Sequence, residues 1–115
     1  MGLNYFSGSV GVGDTTSRPF NLGENKTPVG FTTGSNISGS LISFLVSNDG
    51  VTYVPLYDET STEVSFTITT AARGYILEPQ NSWPWKFMKI RLGTSASSKA
   101  QAAVTTNFTL VTRTF

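Results

Sequence analysis

The side chains of this chain that could carry out chemistry are carboxylates and hydroxyls. The 115 residues include 14 Ser and 17 Thr but no His and no Cys, so a nucleophilic Ser would lack its commonest activating base. A glycosidase would need two carboxylates across one cleft, and nothing in the spacing of the acidic residues predicts that they converge. The seven acidic residues are Asp14, Glu24, Asp49, Asp58, Glu59, Glu63 and Glu78. The sequence therefore predicts a protein that is not an enzyme and that holds no cofactor.

One stretch, residues 47–58 (SNDGVTYVPLYD), combines carboxylates with turn-forming residues. The tripeptide Asn-Asp-Gly at 48–50 tolerates positive φ and is typical of a hairpin turn between two strands. A calcium loop would need several converging oxygen ligands. The turn offers the carboxylate of Asp49, and the next ones, Asp58 and Glu59, come only at the far end of the stretch. We therefore predict a hairpin and no metal site.

The composition favours an all-β protein. Charged residues make up 13% of the chain and hydrophobic ones 38%, and much of the remainder is Thr, Ser and Gly, which suit strands and turns. A net charge of +1 predicts no long-range attraction to nucleic acid or to an anionic membrane. The longest apolar runs are too short to span a bilayer, and the first ten residues lack a secretory pattern. We expect a soluble protein made in a cytoplasm.

Alternating apolar residues predict the strands. After residue 37 we expect six or seven strands at the spacing of a β-sandwich or jelly roll. Pro55 has no N–H, so its strand is expected at a sheet edge or at a bulge. The residues predicted to point inward from the later strands are Val64, Phe66, Ile68, Met88, Ile90, Leu92, Phe108 and Leu110. The fold class expected is a single-domain antiparallel β-sandwich.

The first 35 residues differ from the rest of the chain. Seven of the 11 glycines fall within the first 34 residues, and no helical periodicity runs through this part. We predict that residues 1–35 form an extended, Gly-rich N-terminal arm with short strands, and that residues 36–115 form the β-sandwich core. Deleting residues 1–30 is then expected to leave the sandwich folded.

Two short motifs in the second half suggest contact surfaces. Residues 83–85 (Trp-Pro-Trp) suit three roles: covering one end of the core, anchoring a protein interface, or stacking on a sugar. Lys89 and Arg91 lie two apart on one predicted strand and so point the same way, with Lys86 nearby. They form either a solvated outer face or an electrostatic contact with an acidic partner.

The order of elements resembles the small capsid decoration (cement or staple) proteins of tailed bacteriophages. The resemblance covers about residues 39–113 and is carried by GSLISFLVSNDGVTYVPLYDE, TEVSFTIT, GYILEP, WKFMKIRLGT, QAAVTT and TLVTR, in that order. Discoidin-like modules share the S-x-D-G hairpin and a basic strand, but they are usually longer and often carry a disulfide, which a chain without Cys cannot form.

The resemblance implies a structural virion protein, made in the host bacterial cytoplasm, that binds the outside of an icosahedral capsid and stabilises the coat-protein lattice. Its partners would be the major capsid protein and its own copies, as a dimer or trimer, with no nucleic acid and no membrane. The contact residues expected are Tyr5, Phe6, Phe20, Phe31, Trp83, Trp85, Lys89 and Arg91. The alternatives are a glycan-binding β-sandwich module and a tail or baseplate component.

Overall fold

The computed structural model describes residues 2–24, 26–34, 37, 41–68, 74–76, 84–102 and 105–114. The described residues contain nine β-strands and no helix, and the strands form two antiparallel sheets. The all-β, antiparallel sandwich expected from the sequence is confirmed. In this part of the chain no helix has the length and hydrophobicity of a membrane span.

The strands are distributed between a first sheet of four strands and a second sheet of five. In chain order they are β1 (Leu3–Val10), β2 (Phe20–Asn21), β3 (Lys26–Thr33), β4 (Leu41–Ser47), β5 (Val54–Pro55), β6 (Ser65–Thr67), β7 (Gly74–Ile76), β8 (Phe87–Leu92) and β9 (Thr106–Thr114). The first sheet has the order β1-β9-β3-β7. The second has the order β2-β8-β4-β5, and β6 also pairs with β4.

The core lies between the two sheets and is built from alternate residues of their strands. Met88, Ile90 and Leu92 of β8 are buried, and so are Phe108 and Leu110 of β9, as their alternation predicts. The centre is an aromatic cluster in which Phe31 contacts the three rings of Phe44, Phe66 and Tyr75. Its edge-to-face and stacked contacts, with centroids 5.1–5.9 Å apart, lock the two sheets together.

The structure corrects the expectation of an extended N-terminal arm. Strand β1 pairs with β9 along its whole length, and β3 pairs with both β9 and β7. The same part of the chain contributes Val10, Phe20, Leu22 and Phe31 to the core. Residues 3–33 are therefore an integral part of the sandwich.

The high glycine content of the N-terminal region suggested a loose arm, although the region is part of the packed sandwich. Gly8 occupies an inward position of β1, and a Cβ there would lie 2.6 Å from the ring of Phe20. The missing side chain makes room for a core aromatic from the other sheet. Strand β3 carries a register shift between Pro28 and Gly30, which also interrupts the simple alternation. A segment that suggested a flexible arm is thus closely packed.

The stretch 47–58 forms the predicted hairpin. Strand β4 pairs with β5 on either side of the turn, with Val46 opposite Val54 and Leu45 opposite Pro55. Strand β5 ends the strand order of its sheet, so Pro55 lies on an edge strand, where its missing N–H removes no ladder bond from a central strand.

Candidate functional site

The outer face of the first sheet carries a row of apolar residues. Tyr5 of β1 lies opposite Val111 of β9, Val111 lies opposite Gly30 of β3, and Gly30 lies opposite Ile76 of β7. Because residues opposite one another share a face, these four form one row across all four strands. Leu3 lies two residues before Tyr5 and points to the same face. We name the set of five residues the outer row: Leu3, Tyr5, Gly30, Ile76 and Val111.

Three members of the outer row are well exposed, while Gly30 and Val111 are half-buried. The exposed fractions are 88% for Ile76, 66% for Tyr5 and 55% for Leu3. The next row on the same face is made of hydroxyl residues, with Ser7 opposite Thr109 and Thr109 opposite Thr32. An apolar row beside hydroxyl groups on the outer face of a sheet is suited to contact with another protein surface.

Arg91 is held by a polar cluster on the outer face of the second sheet. Its Nη2 forms an ion pair with Glu63, and its Nε donates to Ser43 Oγ at 3.0 Å. Glu63 also accepts from the backbone N–H and the hydroxyl of Ser95, and Ser43 Oγ donates to Gly93 O at 2.7 Å. Both charged side chains are close to nine-tenths buried. The expectation that Arg91 contacts a partner is corrected, because its charge and donors are used within the chain.

Lys89 lies on the same outer face, and the structure places it over an aromatic ring. Its Nζ is 4.3 Å from the centroid of the Tyr53 ring, and Lys89 is half-buried. Burial, and secondarily the charge of Asp49, raises the pKa of Tyr53 above its ordinary value. Lys89 thus has an internal contact, although its ammonium also borders a groove described below.

The carboxylate of Asp49 is occupied by the turn that contains it. Its Oδ1 accepts from the backbone N–H groups of Thr52 and Val51 at 2.9 and 2.8 Å and from Ser47 Oγ at 2.9 Å. These hydrogen bonds hold the pKa of Asp49 below its ordinary value of 3.8, and the bond from the Thr52 N–H has the largest effect. Gly50 has a φ of 75°, which this turn requires. The arrangement shapes the hairpin.

Asp58 organises a second turn in the same way. Its Oδ1 accepts from the hydroxyl and backbone N–H of Thr60 and from the backbone N–H of Thr62. The Thr60 hydroxyl is the main cause of a pKa below the ordinary value. No three acidic, His or Cys side chains come together as a metal site within the described ranges.

A polar groove runs beside the segment between β1 and β2. Its volume is about 640 Å³, and its walls carry hydroxyl groups together with Asp14, Arg18 and Lys89. The hydroxyl-bearing residues of the lining are Ser9, Thr15, Thr16, Ser17 and Thr105. Hydroxyls with a few charges can hydrogen-bond a polar ligand, but the described residues of this lining include no aromatic ring on which a sugar could stack.

The predicted contact residues are divided between surface and core. Tyr5 is exposed in the outer row, while Phe6 points inward and is half-buried against the core. Phe20 and Phe31 are only 4% and 1% exposed, so the expectation that they touch a partner is corrected: their rings build the core. Trp85 is half-buried and packs against the core. Trp83 lies outside the described residues.

Sequence reasoning missed four members of the outer row: Leu3, Gly30, Val111 and Ile76. A signal was present, because in LNYFSGSV the residues Leu3 and Tyr5 alternate with Asn4 and Phe6 at the period of a strand. The row itself depends on which strands are neighbours and in which register, and those pairings join residues up to 110 positions apart.

Comparisons with protein-family models, with curated proteins and with solved structures found no match for this chain.

Proposed function

We propose that this protein is a structural virion protein that binds the outside of an icosahedral phage capsid and stabilises the coat-protein lattice. The observation that carries the proposal is the outer row on the outer face of the first sheet. The order of motifs over residues 39–113 suggests the capsid as the partner. A protein that binds the assembled lattice but not its separate subunits opposes disassembly by mass action.

The area of the outer face of the first sheet limits how strongly a single copy can bind. Strands β1, β3 and β9 each span about 27 Å and β7 about 10 Å, and neighbouring strands lie about 4.8 Å apart, so the described part of the face offers about 450 Å². A standard interface buries about 800 Å² on each partner, so one such contact alone is weak. If copies of the chain are linked to one another, the weakness of one contact is compensated by repetition over the lattice. Each further contact is then intramolecular.

The binding surface in this proposal is preformed. The first 34 residues supply β1 and β3 of the first sheet, so no disordered arm has to become ordered on the shell. Among the described residues of the face, the ordering cost is that of side chains such as Tyr5 and Ile76. Binding is therefore expected to leave the backbone of the sandwich unchanged.

The experiment is density-gradient sedimentation of DNA-filled particles from the source lysate, with the fractions probed for this chain. Co-migration at many copies per particle is expected, and copy number then separates decoration from a tail or baseplate role. A chain that stays at the top of the gradient would overturn the proposal.

A pair of variants tests the face itself. Particles lacking the chain are mixed with purified protein, either wild type or carrying Tyr5→Ser and Ile76→Ser. The matched control carries Val51→Ser and Val54→Ser, two exposed apolar residues of the β4–β5 hairpin. The first variant is expected to lose at least about tenfold in shell affinity with its melting unchanged, because about 1.5 kcal/mol or more is lost per apolar side chain that fails to be buried. Equal loss in both variants would exclude the outer row.

Glycan binding is the second candidate, and the groove favours it only through the hydroxyl and charged groups of its lining, which could hydrogen-bond a saccharide without stacking. Titration calorimetry with a panel of bacterial surface saccharides would test it, with Asp14→Asn as the variant and Glu24→Gln as an exposed control outside the groove. Heat of binding that Asp14→Asn abolishes and Glu24→Gln leaves intact would support the groove. The absence of heat at millimolar saccharide would dismiss this candidate.

A further inference from the structure

Among the described residues, the sheets have one long free edge, which is formed by β1. As far as the structure describes them, the other end strands are short: β7 has three residues, β2 two and β5 two, and β5 includes Pro55. Strand β1 has eight residues, and its sequence LNYFSGSV contains no charge and no proline. Proteins usually protect an edge with a short strand, a charge or a proline, and β1 has none of these.

The backbone of β1 offers bonding groups at this edge. Thr114 N donates to Gly2 O at 3.2 Å, so this pair is of the closely hydrogen-bonded kind. In an antiparallel ladder such pairs alternate, so the register assigns Asn4, Phe6, Gly8 and Val10 to bonding with β9. The intervening residues Leu3, Tyr5, Ser7 and Ser9 therefore direct their N–H and C=O groups away from β9, to the open edge.

We propose that a second copy of this chain pairs with this edge, β1 against β1 and antiparallel, about a two-fold axis at Phe6. The outward-directed residues then form the hydrogen-bonded pairs, with Tyr5 opposite Ser7 of the second copy and Leu3 opposite Ser9. Phe6 lies opposite Phe6 in a non-hydrogen-bonded pair, where side chains approach most closely. The two first sheets join into one eight-stranded sheet.

Two observations favour a second copy as the occupant. Phe6 is only half-buried although it points inward, and a second Phe6 across the axis completes its burial. The strand has no charge, so two copies meet without repulsion. The same register keeps the outer rows of the two copies on one side of the joined sheet, so the combined face is about 900 Å². The inference concerns the free protein and does not depend on the capsid.

Analytical ultracentrifugation of the purified chain tests the proposal. The expected mass is twice the monomer's 12.4 kDa, and Ser7→Pro is expected to raise the dimer dissociation constant at least about tenfold. Proline removes an N–H that points to the open edge, so pairing with β9 is preserved. Ser7→Thr keeps the N–H and is the control, expected to remain dimeric. A monomeric wild type at millimolar concentration would overturn the proposal.

Amide hydrogen exchange of the wild type provides a test that needs no variant. The amides of Tyr5 and Ser7 should be protected at high concentration and exposed on dilution, while those of Phe6 and Gly8 stay protected at both. A dimer in which Tyr5 and Ser7 exchange freely would assign the contact to another surface. Protection that appears only on coat-protein shells would assign the edge to the coat protein. Either result overturns self-pairing.

Discussion

At the scale of the residue, several polar side chains that suggested binding instead hold the fold together. Arg91 is the clearest case, since Glu63 forms an ion pair with its guanidinium and Ser43 Oγ accepts a hydrogen bond from its Nε. Glu63 lies at the end of the turn around Asp58. It also accepts hydrogen bonds from Ser95, in the loop that follows β8, and so attaches that loop to the second sheet. One ion pair thus fastens two loops over the outer face of the second sheet.

We expect Glu63→Ala to lower the free energy of unfolding by about 3 kcal/mol, because it leaves a largely buried guanidinium without its counter-charge. Urea unfolding of the purified chain measures this change. Glu24→Ala is the control: its ion pair with Lys86 spans 3.3 Å, and both side chains are about half exposed or more. That variant should lose less than about 1 kcal/mol. Equal losses in the two variants would contradict the structural role of the buried pair.

At the scale of the element, the N-terminal strands complete the first sheet. Strand β9 lies between β1 and β3, and six of its nine residues are paired on both sides. Its two neighbours both come from the first 34 residues, so the last strand of the chain needs the first part of the chain to be in place. Such pairing of distant segments is also expected to make folding slow for a domain of this size.

Deletion of residues 1–30 is expected to abolish cooperative unfolding. It removes β1, β2 and more than half of β3, and it takes Val10, Phe20 and Leu22 out of the core. Thermal melting followed by circular dichroism measures the outcome. A chain without residues 1 and 2, which precede β1, is the control and should melt cooperatively. A cooperative transition in the longer deletion would restore the interpretation of this region as an arm.

At the scale of the whole molecule, the chain is nearly neutral and its candidate contacts are apolar or main-chain. Eight basic and seven acidic residues leave a net charge of +1, so no strong overall field attracts a partner. The outer row contributes apolar area, and the β1 edge contributes backbone hydrogen bonds. Both features occur on the first sheet, which is therefore the side of the sandwich on which we expect assembly.

Shell binding is consequently expected to resist salt. Raising the ionic strength from about 0.1 M to about 1 M shortens the screening length from about 10 Å to about 3 Å, which weakens exposed charge pairs and leaves apolar contacts intact. Co-sedimentation with particles at the two salt concentrations measures the effect, and the chain sedimented alone at each salt serves as the control. A loss of binding greater than about tenfold at high salt would indicate an electrostatic contact instead, with Lys89 as the residue to test.

The all-β class, the hairpin at 47–58 and the inward faces of β8 and β9 could be predicted from the residues alone, because these follow from local turn chemistry and from alternation within one strand. The folded chain was needed to show that residues 3–24 and 26–33 belong to the sandwich, that Phe20 and Phe31 are core residues, and that Arg91 is paired. Those outcomes depend on which distant strands become neighbours. A glycine such as Gly8 carries no hydrophobic signal, and its role is set by the Phe20 ring that fills the space beside it. The outer row is decided in the same way, since the register brings Tyr5, Val111 and Ile76 together from three separate parts of the chain.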